Sequence, residues 1–263
     1  MIDYHVHTSI SADCGVSMAD MALAARNAGI RELCFTEHID IGLPGPGEQD
    51  FSVDFERYRA ALAEVREQYP DINIRMGIEA GLDMRTKDEM PALLSGLDYV
   101  IGSQHVVYGQ DPYYQQVWQE HSQQAIYDEY LAESLRCARE CDFYDVLGHL
   151  GYIAKFCPYD DKLMRYSNYS DAVDEILKLL VEKGKGLEVN TNGLYMTPDT
   201  MPEMPIVRRY HELGGEIVTI GSDAHYEVVV GHAVPETLAM LGEIGFRYVC
   251  AFDGRKPRFL AIK

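Results

Sequence analysis

The sequence predicts a single α/β barrel, and three observations carry that expectation. Short β-like runs alternate with amphipathic helical stretches from one end of the chain to the other, the pattern of parallel βαβ units. No Pro/Gly/Ser-rich linker, internal repeat or low-complexity segment divides them, so residues 1–263 read as one domain. The length of 263 residues matches the roughly 250 that one such barrel commonly needs. Seven or eight strand–helix units in an undivided chain favour closure into a barrel over an open sheet.

The elements follow in order. Residues 1–6 form the first expected strand, and Ser17-x-x-Asp20 resembles a capping box for a helix that ends at Gly29. RELCFTEH (31–38) is the second strand. Phe55, Tyr58, Leu62, Val65 and Tyr69 recur at helical spacing before NIRMGIEAGL (73–82) returns to strand. DYVIGSQH (98–105) is the fourth strand, with a long polar helix expected near 121–140. YDVLGHL (144–150) is the fifth, and Val173, Ile176, Leu177, Leu180 and Val181 mark one face of a helix stopped at Gly184. GLEVNTNGL (186–194) is the sixth strand, EIVTIGSDAH (216–225) the seventh, and FRYVCAF (246–252) a candidate last one.

Composition narrows the function. A hydrophobic content of 47% is enough for a real core. The net charge of −19 argues against a long nucleic-acid partner, because phosphate contacts need clustered Lys and Arg. That field also repels a small anionic substrate unless cations inside the site reverse it locally, as in a metal enzyme. No basic and apolar run precedes the first strand, and no stretch approaches the roughly 18 apolar residues of a membrane span. The six cysteines are scattered without a C-x-x-C pair. Reduced thiols in a cytoplasmic protein with no membrane partner are the expectation. None of these features specifies an oligomeric state.

In a parallel barrel, functional groups gather at the C-terminal ends of the strands. His5 and His7, two apart, point to one face of the first strand, and Asp13 lies in the loop beyond. The second strand ends in Glu37-His38, the third carries Glu79, the fourth ends in His105 and the fifth in His149. The seventh ends in Asp223 and His225. Each alone has a bland explanation: a hydrogen-bonded histidine, a surface glutamate, a helix N-cap for Asp223. Together they would need independent bland explanations at one end of one barrel. His121 and His211 lie in polar helical stretches and read as solvated surface, and His232, in a loop after Gly231, is set aside.

Imidazole and carboxylate ligands without paired thiols suit Zn, Mn or Fe as divalent ions. Nine candidate ligands exceed what one ion takes. Two or three ions sharing a bridging carboxylate and a bridging hydroxide would use them all, and such a cluster suits phosphate ester hydrolysis.

Taken in order, DYHVHTSISAD, FTEHID, GIEAGLD, GSQH, LGHL and GSDAH resemble the polymerase-and-histidinol-phosphatase (PHP) metallohydrolase superfamily, most closely its histidinol-phosphatase branch. The resemblance spans nearly the whole chain. It implies a distorted, TIM-like (β/α)7 barrel with a trinuclear metal centre. Carried over by position, the first metal would take His5, His7, Glu79 and Asp223; the second, Glu79 as a bridge with His105 and His149; the third, Asp13, His38 and His225. Asp13 is His in some relatives, which implies a harder ion at the third site. Glu37, beside a ligand, is expected to stabilise the loop or support the ligands from behind.

LEVNTNGL also resembles that branch, which carries a basic residue soon after this strand; here Tyr195 and Met196 follow Leu194. Tyr226 stands where Arg often follows GSDAH, and Lys155 in HLGYIAKF stands about where the family has a basic residue. The implied activity is hydrolysis of L-histidinol phosphate to L-histidinol and phosphate, a step of histidine biosynthesis. A metal-bridging hydroxide would attack phosphorus, with Glu79 and Asp223 as catalytic residues. Lys155, Asn190 and Asn192 are the candidates for holding this small-molecule substrate. The two asparagines alternate onto one strand face, although Asn192 before Gly193 also suits a turn. Rival readings are a PHP-type enzyme for another small phosphate ester or phosphodiester, an amidohydrolase-type lactone or cyclic amide hydrolase, and a non-catalytic metal-dependent regulatory module. No strand-end lysine is present for the carbamylated bridge that many amidohydrolases use.

Overall fold

The computed structural model describes residues 1–43 and 51–262. Seven parallel strands lie side by side in sequence order: β1 (Ile2–Val6), β2 (Glu32–Ile39), β3 (Asn73–Gly81), β4 (Tyr99–Ser103), β5 (Val146–Leu147), β6 (Gly186–Asn190) and β7 (Val218–Gly221). The ring comes close to closing where His7 donates its backbone N–H to Ala224 C=O at 3.0 Å, making a parallel bridge from Val6 to Ala224. This is the nearly closed, TIM-like barrel with helices that the sequence predicts.

The intervening segments carry α1 (Met18–Asn27), α2 (Phe55–Gln68), α3 (Met90–Leu93), α4 (Gln116–Glu120), α5 (Gln123–Glu140), α6 (Tyr166–Glu182), α7 (Asn192–Met196), α8 (Met204–Glu212) and α9 (Val234–Ile244). Side chains set several helix starts. Ser17 Oγ accepts from Asp20 N–H at 3.1 Å, and Asp54 Oδ1 accepts from both Glu56 and Arg57 N–H at 3.0 Å. Tyr58, Leu62 and Val65 are the buried face of α2, and the Tyr58 hydroxyl reaches Phe35 C=O at 2.8 Å, tying that helix to β2.

Several strands end earlier than the hydrophobic runs suggest, although β1 ends at Val6 as expected and β2 runs on to Ile39. His7 lies just past β1, His105 two residues past β4, and β5 holds only two residues before the chain turns toward His149. The sixth run also breaks. Asn192 opens α7 instead of continuing the strand, so it and Asn190 do not share a strand face. Side chains that must converge inside the ring leave the backbone ladder, which the alternation of letters does not register.

The candidate last strand is a correction of a different kind. Residues Tyr248–Asp253 form β8, which pairs antiparallel with β9 (Lys256–Ala261) and stays outside the barrel sheet. Gly254 and Arg255 both take positive φ at the hairpin turn, the backbone that the twist of two antiparallel strands favours. The hairpin covers the N-terminal end of the barrel. Phe252 N–H donates to Tyr4 Oη at 3.2 Å, Arg258 pairs with Glu32 at the start of β2, and Arg255 pairs with Asp145 just before β5. Above it, Tyr99 Oη lies 3.0 Å from Thr219 Oγ1, joining non-neighbouring β4 and β7 through the barrel interior. With that end filled by aromatic side chains and the hairpin, the opposite end is left for chemistry.

Candidate metal centre

Glu79, near the C-terminal end of β3, sits at the middle of the cluster. Its Oε1 lies 2.6 Å from His149 Nε2 and 3.0 Å from His105 Nε2, and its Oε2 lies 2.9 Å from His5 Nε2. His7 Nε2 and His38 Nδ1 each stand 3.3 Å from the same Oε2. Asp223 Oδ1 is 3.5 Å from His7 Nε2 and 3.7 Å from His5 Nε2. On the outer side, Asp13 Oδ2 is 3.1 Å from His225 Nε2 and 3.4 Å from His38 Nε2. The rings of His38 and His225 both stack on His7, with centroids 4.3 and 4.2 Å away, and lie 5.9 Å from each other. All nine residues singled out as ligands in the sequence therefore meet at one end of the barrel.

Among the described residues, four groups of side chains have ligand atoms close enough to share a cation: His5, His7, Glu79 and Asp223; Glu79, His105 and His149; His7, His38 and His225; and His38, Asp40 and His105. The first two reproduce sets expected from the sequence. In the third, His7 stands where Asp13 was expected, with Asp13 flanking the group. Asp40, in the fourth, was not singled out in the sequence, although it follows His38 by two residues and so shares its strand face.

Local structure makes room for this density. A Cβ on Gly221 would collide with the His5 side chain, and one on Gly81 would collide with the Asp40 carboxylate. Asp223 is held at φ +52, a left-handed backbone that a non-glycine residue rarely adopts. Such strain persists only where the surroundings over-determine it, and it is common at functional sites. Glu37 fixes the loop after β1, accepting from Thr8 N–H and Oγ1 at 3.1 and 2.6 Å and from Ser11 N–H and Oγ at 3.2 and 2.6 Å.

Two buried carboxylates orient the rings. Glu188 Oε1 sits 2.5 Å from His5 Nδ1, and its Oε2 accepts from His149 N–H at 2.7 Å. Asp40 Oδ1 sits 2.8 Å from His105 Nδ1. In both cases the partnered nitrogen faces outward and leaves Nε2 directed at Glu79. Glu188 was also missed in the sequence, where an acidic residue in a strand carries no sign of what it will face.

The electrostatics are those of a cation site. Burial opposes ionisation of Glu79 and Asp223, yet both carboxyls are held well below the carboxylate range. His5, His38 and His105 do this for Glu79, and Lys155 and His5 for Asp223. Burial and the neighbouring His225 and His38 push the His7 imidazole down. Burial would do the same to His105, but Asp40 and Glu79 outweigh it and raise the ring to about 10. His7 Nε2, His38 Nδ1 and Asp40 Oδ2 are buried and have no hydrogen-bond partner among the described residues. Buried polar atoms are rarely left so. Orphaned imidazole and carboxylate atoms converging without a thiolate fit a divalent metal ion.

The cluster lies at the floor of a cavity of about 730 Å³. Lys155 and Asn192 line it, and Asn190 does not. Asn190 Oδ1 instead accepts from Asn192 N–H at 3.0 Å, and its Nδ2 stands 3.5 Å from Glu188. Lys155 Nζ lies 3.1 Å from Asp223 Oδ2 and 5.3 Å from the centre of the Tyr152 ring. Tyr195 and Tyr226, both largely exposed, stand at the cavity rim. His121 is stacked on Tyr108, His211 lies against Phe246 and His232 near Tyr195, all outside the four groups.

Comparison with known proteins gives concordant results. The family described as PHP domain matches residues 3–192. The histidinol-phosphatase of Lactococcus lactis is 31% identical over 264 residues, covering 97% of this chain and 95% of that protein. A Clostridium acetobutylicum protein named "Probable histidinol-phosphatase" is 32% identical over 246 residues, covering 91% of this chain and 92% of its own. Among solved structures, the histidinol phosphate phosphatase of Lactococcus lactis complexed with Zn, L-histidinol and phosphate superimposes with a TM-score of 0.91. It is 29% identical and covers 98% of both chains.

Proposed function

The chain belongs to the PHP domain family, and on that premise we propose that the barrel-end cluster is the active site of a metal-dependent phosphomonoesterase. Its substrate is L-histidinol phosphate, hydrolysed to L-histidinol and phosphate. The observation that carries this reading is the convergence of buried, orphaned ligand atoms in four overlapping groups on the floor of one cavity. Likeness over nearly the full length to the Lactococcus protein, solved with Zn, L-histidinol and phosphate, supports the choice of substrate. The whole of residues 1–263 acts as one catalytic barrel.

Two or three divalent ions of Zn, Mn or Fe would be held by His5, His7, Asp13, His38, Glu79, His105, His149, Asp223 and His225, with Asp40 beside His38 and His105. When bound, such ions supply a nucleophile at neutral pH and neutralise charge on the phosphoryl oxygens. The chain does the rest. Glu79 offers Oε1 to the His105–His149 side and Oε2 to the His5–His7 side, so one carboxylate serves two positions. Asp223 holds the Lys155 ammonium at the cavity wall, where it meets a phosphate oxygen that the acidic surface would otherwise repel. Asn192 presents its side chain to the cavity from the start of α7, its backbone N–H held by Asn190 Oδ1 and its Nδ2 donating to Asp223 C=O at 3.4 Å. His225 and Asp13 close the outer edge. The six cysteines are free and buried, which accords with a reducing cytoplasmic compartment. Among the described residues, no helix is long and apolar enough to cross a membrane.

The test is an assay of purified protein against a panel of phosphomonoesters with added Mn²⁺ or Zn²⁺. L-Histidinol phosphate is expected to give the highest kcat/KM, and Glu79→Ala to abolish turnover and bound metal together. Activity that survives Glu79→Ala would remove the proposed mechanism.

A further inference from the structure

The strand that carries His5 also carries Asp3, which is fully buried and belongs to none of the four ligand groups. Its two oxygens take four donors. Oδ1 accepts from Ser222 N–H at 2.9 Å and, at a longer 3.4 Å, from His5 N–H. Oδ2 accepts from Ser222 Oγ at 2.6 Å and from Gly231 N–H at 2.8 Å. Each oxygen thus faces a backbone N–H, and an amide nitrogen in either place would set donor against donor. A carboxylate, which only accepts, satisfies both.

These partners lie on the chain that follows β7. The strand ends at Gly221, and Asp223, next after Ser222, stands at φ +52. A side chain held in that region stays there only where its surroundings over-determine it. The bond from His7 N–H to Ala224 C=O at 3.0 Å secures the far side of this turn, and Asp3 secures the near side. Gly231 closes the loop that carries Tyr226, Val228 and Val229 along the cavity rim. One carboxylate therefore joins a ligand strand, the turn bearing Asp223 and His225, and the root of the rim loop.

Resting on the metal-centre reading above, we propose that Asp3 is a positioning residue that sets the Asp223 turn against β1, so that Asp223 meets His5, His7 and Glu79 as one ligand group. It acts through Ser222 and touches neither the ligand atoms nor the cavity. Both Asp223 oxygens depend on that placement: Oδ1 stands 3.5 Å from His7 Nε2, and Oδ2 stands 3.1 Å from Lys155 Nζ. A turn released from its left-handed backbone would move both at once. The effect is local. Glu79, His105 and His149 draw on β3 and on the segments past β4 and β5, away from the β1–β7 seam.

The test is Asp3→Asn in the full chain, titrated as apo-protein with Zn²⁺ against a competing chelator. The ion at the Asp223 group is expected to bind about 10- to 100-fold more weakly, the usual cost of losing a group that orients a ligand. The ion at the His105–His149 group should bind as in the wild type. Tyr4→Phe, on the same strand, is the control. It removes the hydroxyl bonded to Phe252 at the other end of the barrel and is expected to lower Tm without changing Zn²⁺ affinity. Unchanged binding by Asp3→Asn overturns the assignment. Equal weakening of every ion, or the same weakening in Tyr4→Phe, also overturns it, since metal binding would then follow the stability of the fold. Where the wild type binds a single ion, its weakening in Asp3→Asn but not in Tyr4→Phe decides.

Ser222→Ala keeps the carboxylate and removes only the Oγ bond, so the same ion should weaken by about 3- to 10-fold. If Asp3→Asn does not fold, this variant decides, and wild-type affinity overturns the proposal. If the wild type binds no divalent ion, the metal reading fails, and hydrogen exchange of the same proteins judges Asp3. Faster exchange over 222–231 in Asp3→Asn but not in Tyr4→Phe supports the positioning role. Exchange there at the wild-type rate overturns it.

Discussion

Glu188 shows what a single buried carboxylate does here. One oxygen holds His5 Nδ1 and the other holds the backbone of His149, so it fixes a ring and a strand-end turn that face the same glutamate. Glu188→Gln can satisfy one of those donors, but its amide nitrogen then confronts the other. Metal affinity is expected to fall about 10- to 100-fold, the usual cost of losing a group that orients a ligand. Titration of the apo-protein with metal against a competing chelator measures it independently of turnover. A variant that binds metal as the wild type does would leave Glu188 with a packing role only. Asp40 and Glu188 both follow the two-residue period of their strands, Asp40 after His38 and Glu188 before Asn190. That period was legible; what each acid would meet across the barrel was not.

At the scale of elements, α5 supports the cluster from behind. Glu133 Oε2 accepts from Gln104 Nε2 at 3.2 Å, and Gln104 immediately precedes His105. Burial pushes the Glu133 carboxyl up to about 7, with Arg136 only partly offsetting it. Its folded-state value thus exceeds the ordinary 4.5 of the unfolded chain. The stabilising effect of the protonated form is complete below pH about 4.5 and is lost as pH rises through about 7. Glu133→Gln is therefore expected to be more stable than the wild type at pH 8, by about 1 kcal/mol after allowance for solvent screening. The difference should vanish near pH 4, and denaturant unfolding at the two pH values checks it. Helix positions were the most legible elements, since caps such as Ser17 and the stripe on α2 are local. Strand ends were the least, because where a strand yields to its loop depends on neighbours in the ring.

For the whole molecule, the proposed ligands come from β1, β2 and β3 and from the segments past β1, β4, β5 and β7. Bound metal therefore ties together a ring whose β1–β7 seam has an isolated backbone bridge and the bonds Asp3 accepts from Ser222 N–H and Oγ. Ligands that bind only the folded state stabilise it by mass action, about 4 kcal/mol at a thousand-fold excess over Kd. Chelation with EDTA is expected to lower Tm on the order of 10 °C for a chain of this size. Added Zn²⁺ or Mn²⁺ should restore it in a concentration-dependent way. A melting temperature indifferent to both would show that the barrel end holds together without metal. At the other end the β8–β9 hairpin is anchored through Tyr4, Asp145 and Glu32.

By itself the sequence determined the barrel class, the order of its strands and the residue types gathered at their ends. These follow from local periodicity, from caps, and from the rule that parallel strands all point one way. Tertiary structure alone decided which atoms meet. It gathered His7, His38 and His225 into one group, brought Asp40 and Glu188 behind the ligands, sent Asn192 into a helix and folded the last run into a hairpin beneath the barrel. Such pairings join residues up to 248 positions apart, as Tyr4 and Phe252 are. No local pattern encodes them, because they exist only once the ring has formed.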